Sequence, residues 1–503
     1  MLRAAIAAVF AAAVGVAPAA AGPGFFVGLT EDQHATLRDA TPYAQDLGLK
    51  AYRVPLWWPR GQARVDPLNV AGLDEVVRAA PSSVRLVVAL ASHKEETPLT
   101  VQDREDYCSF ARDILARYPR INDIVVWNEP NKTDFWAPQY NADETSAAPG
   151  AYVALLARCY DVLHAFRPNV NVIAPATSPR GNDRPQAVSN ISHSPVRFIH
   201  GMGEAYRASG RTTRLFDTFA HHAYGSQPHE RPWRTHGTTQ ISQGDWQKLM
   251  TAVSYAFEGT GQPVPGECER GRCVWIWYTE HGFQTIPDEA KAGLYSEEEN
   301  FVPVPDFVGG EPEAPPPDVT TRGPDQATQI QDAVRLAACQ PYVQAFFNYR
   351  LVDSPSLVGW QSGFLWADWT PKDSYQAFKG VIAQANAKAV PCGALKSGPI
   401  PLVDPAPPAP PARPTIRLVR RQVTLDWPDA PEDDVMGYAV FRGPRGGGPY
   451  MRLNRSGLTP TSKLVDRGLR RGRTYCYRVV AFDTVENRSA QSRPRCVAVP
   501  RRR

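Results

Sequence analysis

Val125-Val126-Trp127-Asn128-Glu129-Pro130-Asn131 is a short run of β-branched and aromatic residues closed by a glutamate, and turn formers follow at once. Such a run reads as a buried strand that ends at the carboxylate. A second stretch has the same form: Trp275-Ile276-Trp277-Tyr278-Thr279-Glu280-His281-Gly282. In a closed barrel of parallel strands, the C-terminal strand ends form the mouth that carries the chemistry. Glu129 and Glu280 are therefore expected to face each other across one opening.

Working outward, further strand-like runs lie at 25–30, 51–58, 85–90, 171–177, 216–224 and 343–351, joining 123–129 and 274–280. Between them, 73–80, 104–118, 151–166, 196–209, 246–257 and 326–338 carry apolar residues at spacings of three and four, as half-buried helices do. Eight strands separated by helices argue a (β/α)8 TIM barrel of the α/β class over residues 22–400. An open doubly wound sheet would call for a glycine-rich phosphate turn after the first strand, and Phe25-Phe26-Val27-Gly28-Leu29-Thr30-Glu31 is not one. The proline- and glutamate-rich stretch 286–324 lacks periodicity and falls after the seventh strand, where it is expected either to wall or cover the mouth or to be disordered.

Residues 401–414 (PLVDPAPPAPPARP) read as a semi-rigid spacer. Beyond it, short alternating runs at 415–420, 422–427, 437–442, 474–483 and 495–499, separated by turn formers, predict a small all-β immunoglobulin-like sandwich over 415–500. Of the 503 residues 43% are hydrophobic and 21% charged, enough apolar material for large cores and no basis for general disorder.

Residues 1–21 have the form of a secretory signal: Arg3, an apolar stretch over 4–16, then Ala19-Ala20-Ala21 as a small-residue cleavage site. The apolar part is too short to span a bilayer, and no later window reads as a membrane helix, so a secreted, extracellular chain is expected. The eight cysteines agree with an oxidising compartment. They fall in locally paired order (Cys108 with Cys159, Cys268 with Cys273, Cys339 with Cys392, Cys476 with Cys496), which makes four local disulfides the simplest of 105 connectivities. Neither a CxxC pair nor a Cys/His cluster with ligand spacing suggests a metal, and no cofactor is implied.

The net charge of +4 hides an asymmetry. Residues 415–503 hold 19 Lys/Arg against 8 Asp/Glu, whereas the preceding part holds 36 against 43. A basic module thus follows a mildly acidic one, as expected either of a solvated arginine-rich surface or of attraction to an anionic cell-surface polymer. Recognition motifs for nucleic acid are lacking.

Two carboxylates facing one another are what hydrolysis of a glycosidic bond needs, with carbohydrate as the substrate. Trp127-Asn128-Glu129-Pro130-Asn131 resembles the acid/base motif of the clan A retaining glycoside hydrolases, families 5 and 39 in particular, and Thr279-Glu280-His281-Gly282 resembles the nucleophile strand of that clan. The resemblance covers about residues 24–387. It implies a TIM barrel that cleaves β-linked sugars with retention, Glu129 as general acid/base and Glu280 as nucleophile. It further implies that Arg53 and Tyr224 donate to Glu280, that Asn128 holds the sugar hydroxyl next to the anomeric carbon, and that His222 lies late on the sixth strand within the site. Strict alternation would point Asn128 away from Glu129, so the strand must end or bulge there. His221 and His222 are adjacent, so only one can point inward.

Eleven of the twelve tryptophans precede the spacer; Trp57, Trp58, Trp136, Trp233, Trp360, Trp366 and Trp369 fall near expected strand ends or top loops, and of these Trp58 and Trp136 are taken as sugar platforms in the cleft. Clan members usually carry a tryptophan at the end of the eighth strand; here Phe346-Phe347-Asn348-Tyr349-Arg350 stands there, with Tyr349 or Trp366 as substitutes. The C-terminal module resembles a fibronectin type III domain, with Trp427 in its core and Tyr475 as corner tyrosine. The rival readings are a catalytically silent carbohydrate-binding barrel and a cell-surface adhesion protein.

Overall fold

In the computed structural model, the described residues are 24–285 except 229, 237–238 and 270; 287; 289–296; 325–392; and 407–501 except 433–434, 446–448, 455–457, 460 and 484–487. The expected signal segment 1–21, most of the 286–324 stretch and the first part of the spacer lie outside them.

The eight expected strands all form: β1 (Phe26–Thr30), β2 (Ala51–Trp57), β3 (Arg85–Ala91), β4 (Asp123–Val126), β5 (Asn171–Thr177), β6 (Thr218–His222), β7 (Trp275–His281) and β8 (Val343–Tyr349). They close into a barrel in the order β1-β8-β7-β6-β5-β4-β3-β2, each neighbour parallel. Around it run α1 (His34–Asp39), α2 (Thr41–Leu47), α3 (Ala71–Ala79), α4 (Val101–Arg117), α5 (Ala148–Phe166), α6 (Pro195–Ser209), α7 (Trp246–Phe257), α8 (Gln326–Cys339) and α9 (Ser374–Asn386). The short α1 and α2, and α9, were not anticipated from periodicity. No helix of the described residues is long and apolar enough to cross a membrane.

Local chemistry accounts for several boundaries. Thr100 and Asp103 form a reciprocal capping box at the start of α4. Ser194 accepts from the Arg197 N–H, and Pro195 takes the first position of α6, where a missing N–H is harmless.

The apolar core has two layers. Inside the barrel, Phe26, Trp277 and Phe347 pack with the β-branched Val87, Val125 and Ile173 and with alanines such as Ala51, Ala89, Ala220 and Ala345. Gly28 is required there, because a Cβ would come within 2.5 Å of the Phe347 ring. Outside, the reverse faces of the strands pack on the helices in one large cluster. Cys108–Cys159 ties α4 to α5, and Cys339–Cys392 ties the end of α8 to the segment after α9.

Residues 415–498 form two antiparallel sheets. One holds β9 (Thr415–Val419), β10 (Gln422–Asp426) and β13 (Lys463–Asp466). The other orders β12 (Met451–Arg452), β11 (Val435–Pro444), β14 (Thr474–Asp483) and β15 (Arg495–Ala498). Trp427, Tyr438, Tyr477 and Val479 lie in the core between them. Cys476 and Cys496, directly opposed on β14 and β15, are bonded, and Cys268–Cys273 closes a small hairpin before β7. The described residues contain no free cysteine.

Candidate active site

Backbone irregularities at two strand ends build the site. β4 stops at Val126, three residues short of the expected end, because Trp127 turns to φ +70° and Glu129 to φ +39°. Non-glycine residues in this region are strained by about 1–3 kcal/mol each and concentrate at functional sites. The turn sends Trp127 outward into the core beside Tyr107 and Trp136, while Asn128 and Glu129 both reach the mouth. On β7 the register shifts against both neighbours, between His221 and His222 on one side and between Phe346 and Asn348 on the other. Trp277 fills the barrel and Glu280, three residues on, still faces the mouth. Strict alternation would forbid that pair; the irregularity permits it.

Asn131 holds the β4 turn in place. Fully buried, its amide donates to the carbonyls of Ser178 (3.2 Å) and His193 (3.0 Å), and its oxygen accepts from the Ser178 N–H at 2.9 Å. The Glu129 N–H donates to the Ala176 carbonyl at 3.1 Å.

The two carboxylates meet at one ring nitrogen. His222 Nδ1 lies 2.8 Å from Glu129 Oε1 and 3.4 Å from Glu280 Oε2. Arg53, on β2, spreads its guanidinium between Glu280 Oε1 at 2.6 Å and Asn128 Oδ1 at 2.7 Å. The Tyr224 hydroxyl donates to Glu280 Oε2 at 3.3 Å. Burial pushes the Glu129 carboxyl up to about 7, the cations Lys132 and Arg53 opposing it only in part. Burial also pulls His222 down to about 4, so its ring is neutral at neutral pH. A ring carrying its hydrogen on Nδ1 would donate to these carboxylates; among the described residues its Nε2 has no partner.

A cleft of about 850 Å³ opens over these groups. Its lining includes Asp32, Trp57, Tyr349 and Trp360, and, around Glu129, Lys132, Asp134, Phe135 and Arg180. Glu129 and Glu280 keep 15% and 14% side-chain exposure, both opening on this space.

Of the residues singled out from sequence, Glu129, Glu280, Asn128, Arg53 and Tyr224 line the cleft together. His222 is fully buried and reaches the site only through the carboxylates, so it does not face a ligand. His221 turns away to Thr177 Oγ1 and the Ile241 carbonyl.

Two assignments need correction. Trp58 and Trp136 are fully buried and absent from the cleft wall. Trp58 packs on Tyr107, and Trp136 lies between Trp127 and Tyr152. Trp57 takes the exposed position instead, 48% exposed and stacked on His93 at 4.7 Å and 12°. Alternation could have found it, because Arg53, Pro55 and Trp57 share one face of β2. Trp366 is likewise buried, over Lys372. Trp360, from the loop after β8, lines the cleft edge-on to Tyr349 and tilted against Tyr224. No periodic signal marks that loop residue. Asp32 was not singled out from the sequence; it binds the Tyr349 hydroxyl and Arg350.

No family model matches the chain, and no curated protein matches it. Among solved structures it is similar to GH5_18 from Streptomyces cattleya in complex with GlcNAc, with 13% identity over 78% of this chain and 84% of that one and a TM-score of 0.46. It is similar also to the β-glucuronidase of Parabacteroides merdae, with 10% identity over 95% of this chain and a TM-score of 0.38; the chain spans 50% of that protein's length. A third likeness is to an Fn3-like protein from Clostridium thermocellum, 24% identical over 20% of this chain and 99% of that one, with a TM-score of 0.18.

Proposed function

We propose that the chain is a secreted retaining β-glycosidase in which Glu129 is the acid/base and Glu280 the nucleophile. One observation carries this reading: both carboxylates reach His222 Nδ1, at 2.8 Å and 3.4 Å. Two carboxylates that touch one ring nitrogen are near neighbours, which supports the ~5–5.5 Å separation of a retaining pair over the wider ~6.5–9.5 Å of an inverting one. At the retaining separation Glu280 itself, rather than a water, would reach the anomeric carbon.

In the first step a Glu280 oxygen bonds to the anomeric carbon, the bond to the leaving oxygen breaks, and the Glu129 proton passes to that oxygen. In the second, Glu129 takes a proton from water, whose oxygen replaces the Glu280 ester and frees the carboxylate. Burial supplies Glu129 with a proton to give at neutral pH. Arg53 and Tyr224 hold Glu280 for in-line attack. Asn128, its oxygen on Arg53, keeps its amide for the neighbouring sugar hydroxyl.

The C-terminal unit is read as a fibronectin type III module. The Arg470 N–H donates to the Tyr475 hydroxyl at 3.0 Å, the bond a corner tyrosine makes. Four disulfides fit an oxidising destination outside the cell.

The test uses the mature protein on aryl β-glycosides and on plant and bacterial polysaccharides, beside Glu129→Gln and Glu280→Gln. Both variants should lose nearly all turnover, and NMR of the first-formed product should show the substrate's anomer. Full turnover by either variant, or an inverted anomer, would sink the mechanism. Equal glycan binding by all three without cleavage would make the barrel a binding protein.

A further inference from the structure

Three separate segments of the sandwich bring arginines to one end of it. The β9–β10 turn carries Arg420 and Arg421, the β13–β14 loop carries Arg467, Arg470, Arg471 and Arg473, and the chain beyond β15 carries Arg501. The backbone joins them. The Leu469 N–H donates to the Arg421 carbonyl at 3.1 Å, and the Arg421 Nε returns a bond to the Leu469 carbonyl at 2.7 Å. The Gly472 N–H donates to the Val499 carbonyl at 2.8 Å, and the Val499 N–H to the Arg473 carbonyl at 2.9 Å. Gly468 and Gly472, at φ +73° and +69°, let the loop curl twice within seven residues. The stem of Arg501 lies across Gly472.

All seven arginines are exposed, and among the described residues none has an acidic partner. The acid closest in sequence, Asp466, is buried and already accepts from Arg442 at 3.0 Å and from the Tyr477 hydroxyl at 2.8 Å. Like charges gathered without counterions repel one another, and a bound polyanion relieves that repulsion. Guanidinium forks suit carboxylate, sulfate and phosphate oxygens alike. The segments 419–422, 467–473 and 499–501 contain no aromatic ring on which a base could stack, which argues against single-stranded nucleic acid.

We infer that this end of the sandwich is a docking surface for a linear extracellular polyanion, whose carboxylate, sulfate or phosphate oxygens the guanidinium forks would take while the barrel stays free. The inference stands apart from the barrel's chemistry. The sequence-wide charge imbalance did not locate such a surface; the two loop contacts do.

The test measures binding of the full chain to polygalacturonate, heparin and a poly(glycerol phosphate), with neutral dextran and single-stranded DNA as comparisons, at low and high salt. One variant carries Arg420→Gln, Arg470→Gln and Arg471→Gln. A second, equal in net charge, carries Arg413→Gln, Arg488→Gln and Arg493→Gln, outside the cluster. The first should weaken polyanion binding by roughly tenfold, as loss of three exposed charge contacts does. The second should change it less than about twofold, and salt should weaken the wild type. The strongest of the three polyanions identifies the bound oxygen chemistry. Equal weakening by both variants, absence of binding to every polyanion, or preference for the DNA would each overturn the inference.

Discussion

At Glu129 the burial that makes a carboxylate charge costly is what keeps a proton available near neutral pH. Its carboxyl stands at about 7 against a usual 4.5, so kcat/KM should fall as pH rises through about 7, and a pH–rate profile checks this. The sign for stability follows from linkage. Between about 4.5 and 7 the native state holds a proton that the unfolded chain has lost, so this group's contribution to stability declines as pH rises across that window. Glu129→Gln cannot lose a proton, and the melting temperature of that variant relative to wild type should therefore climb between pH 5 and 8. A flat difference would mean that Glu129 titrates as an ordinary carboxyl. The residue types of this site were legible in the sequence, because a glutamate closing each of two matched apolar runs is a local pattern. His222 as the bridge between them was not, since nothing in an adjacent histidine pair says which ring meets two distant carboxylates.

At the scale of elements, phase decides role. Trp57 and Trp58 are neighbours on β2 and lie on opposite faces, one stacked on His93 in the cleft and one sealed beneath it. Trp57→Ala should raise KM for an extended substrate and leave the melting temperature nearly unchanged. Trp58→Ala should open a cavity costing about 3–5 kcal/mol, seen as a lower denaturation midpoint. The reverse pattern would reinstate Trp58 as a platform. Asn131 works between elements: it ties the turn after β4 to the loop after β5. Asn131→Ala leaves a buried N–H and two carbonyls without partners, at about 1–3 kcal/mol for each group that stays dry. Lower stability and a loss in kcat larger than in KM are expected, because Glu129 rides on that turn. The strands themselves were readable from apolar runs and turn formers. Short α1 and α2 were not, since six or seven residues are too few to display a helical period.

At the scale of the molecule, barrel and sandwich have separate cores. Deleting residues 415–503 should leave turnover of small aryl glycosides within about twofold and abolish attachment to an anionic matrix. Loss of both together would mean that the barrel depends on the module. The charge imbalance between the two parts was countable in the sequence; its concentration at one end of the sandwich was not, because the three segments come together only through contacts between loops far apart in the chain.

The sequence by itself determined the strand–helix alternation and the two carboxylates that close matched apolar runs, since each is written in local spacing and residue type; which cysteines are bonded it left open among many pairings. Only the tertiary structure decided that β4 ends early and β7 slips its register, and so that Glu129, Glu280 and Asn128 share one mouth. It alone decided which tryptophans are exposed. Both depend on packing between residues far apart in the chain, and a pattern of two or 3.6 residues carries no information about such neighbours.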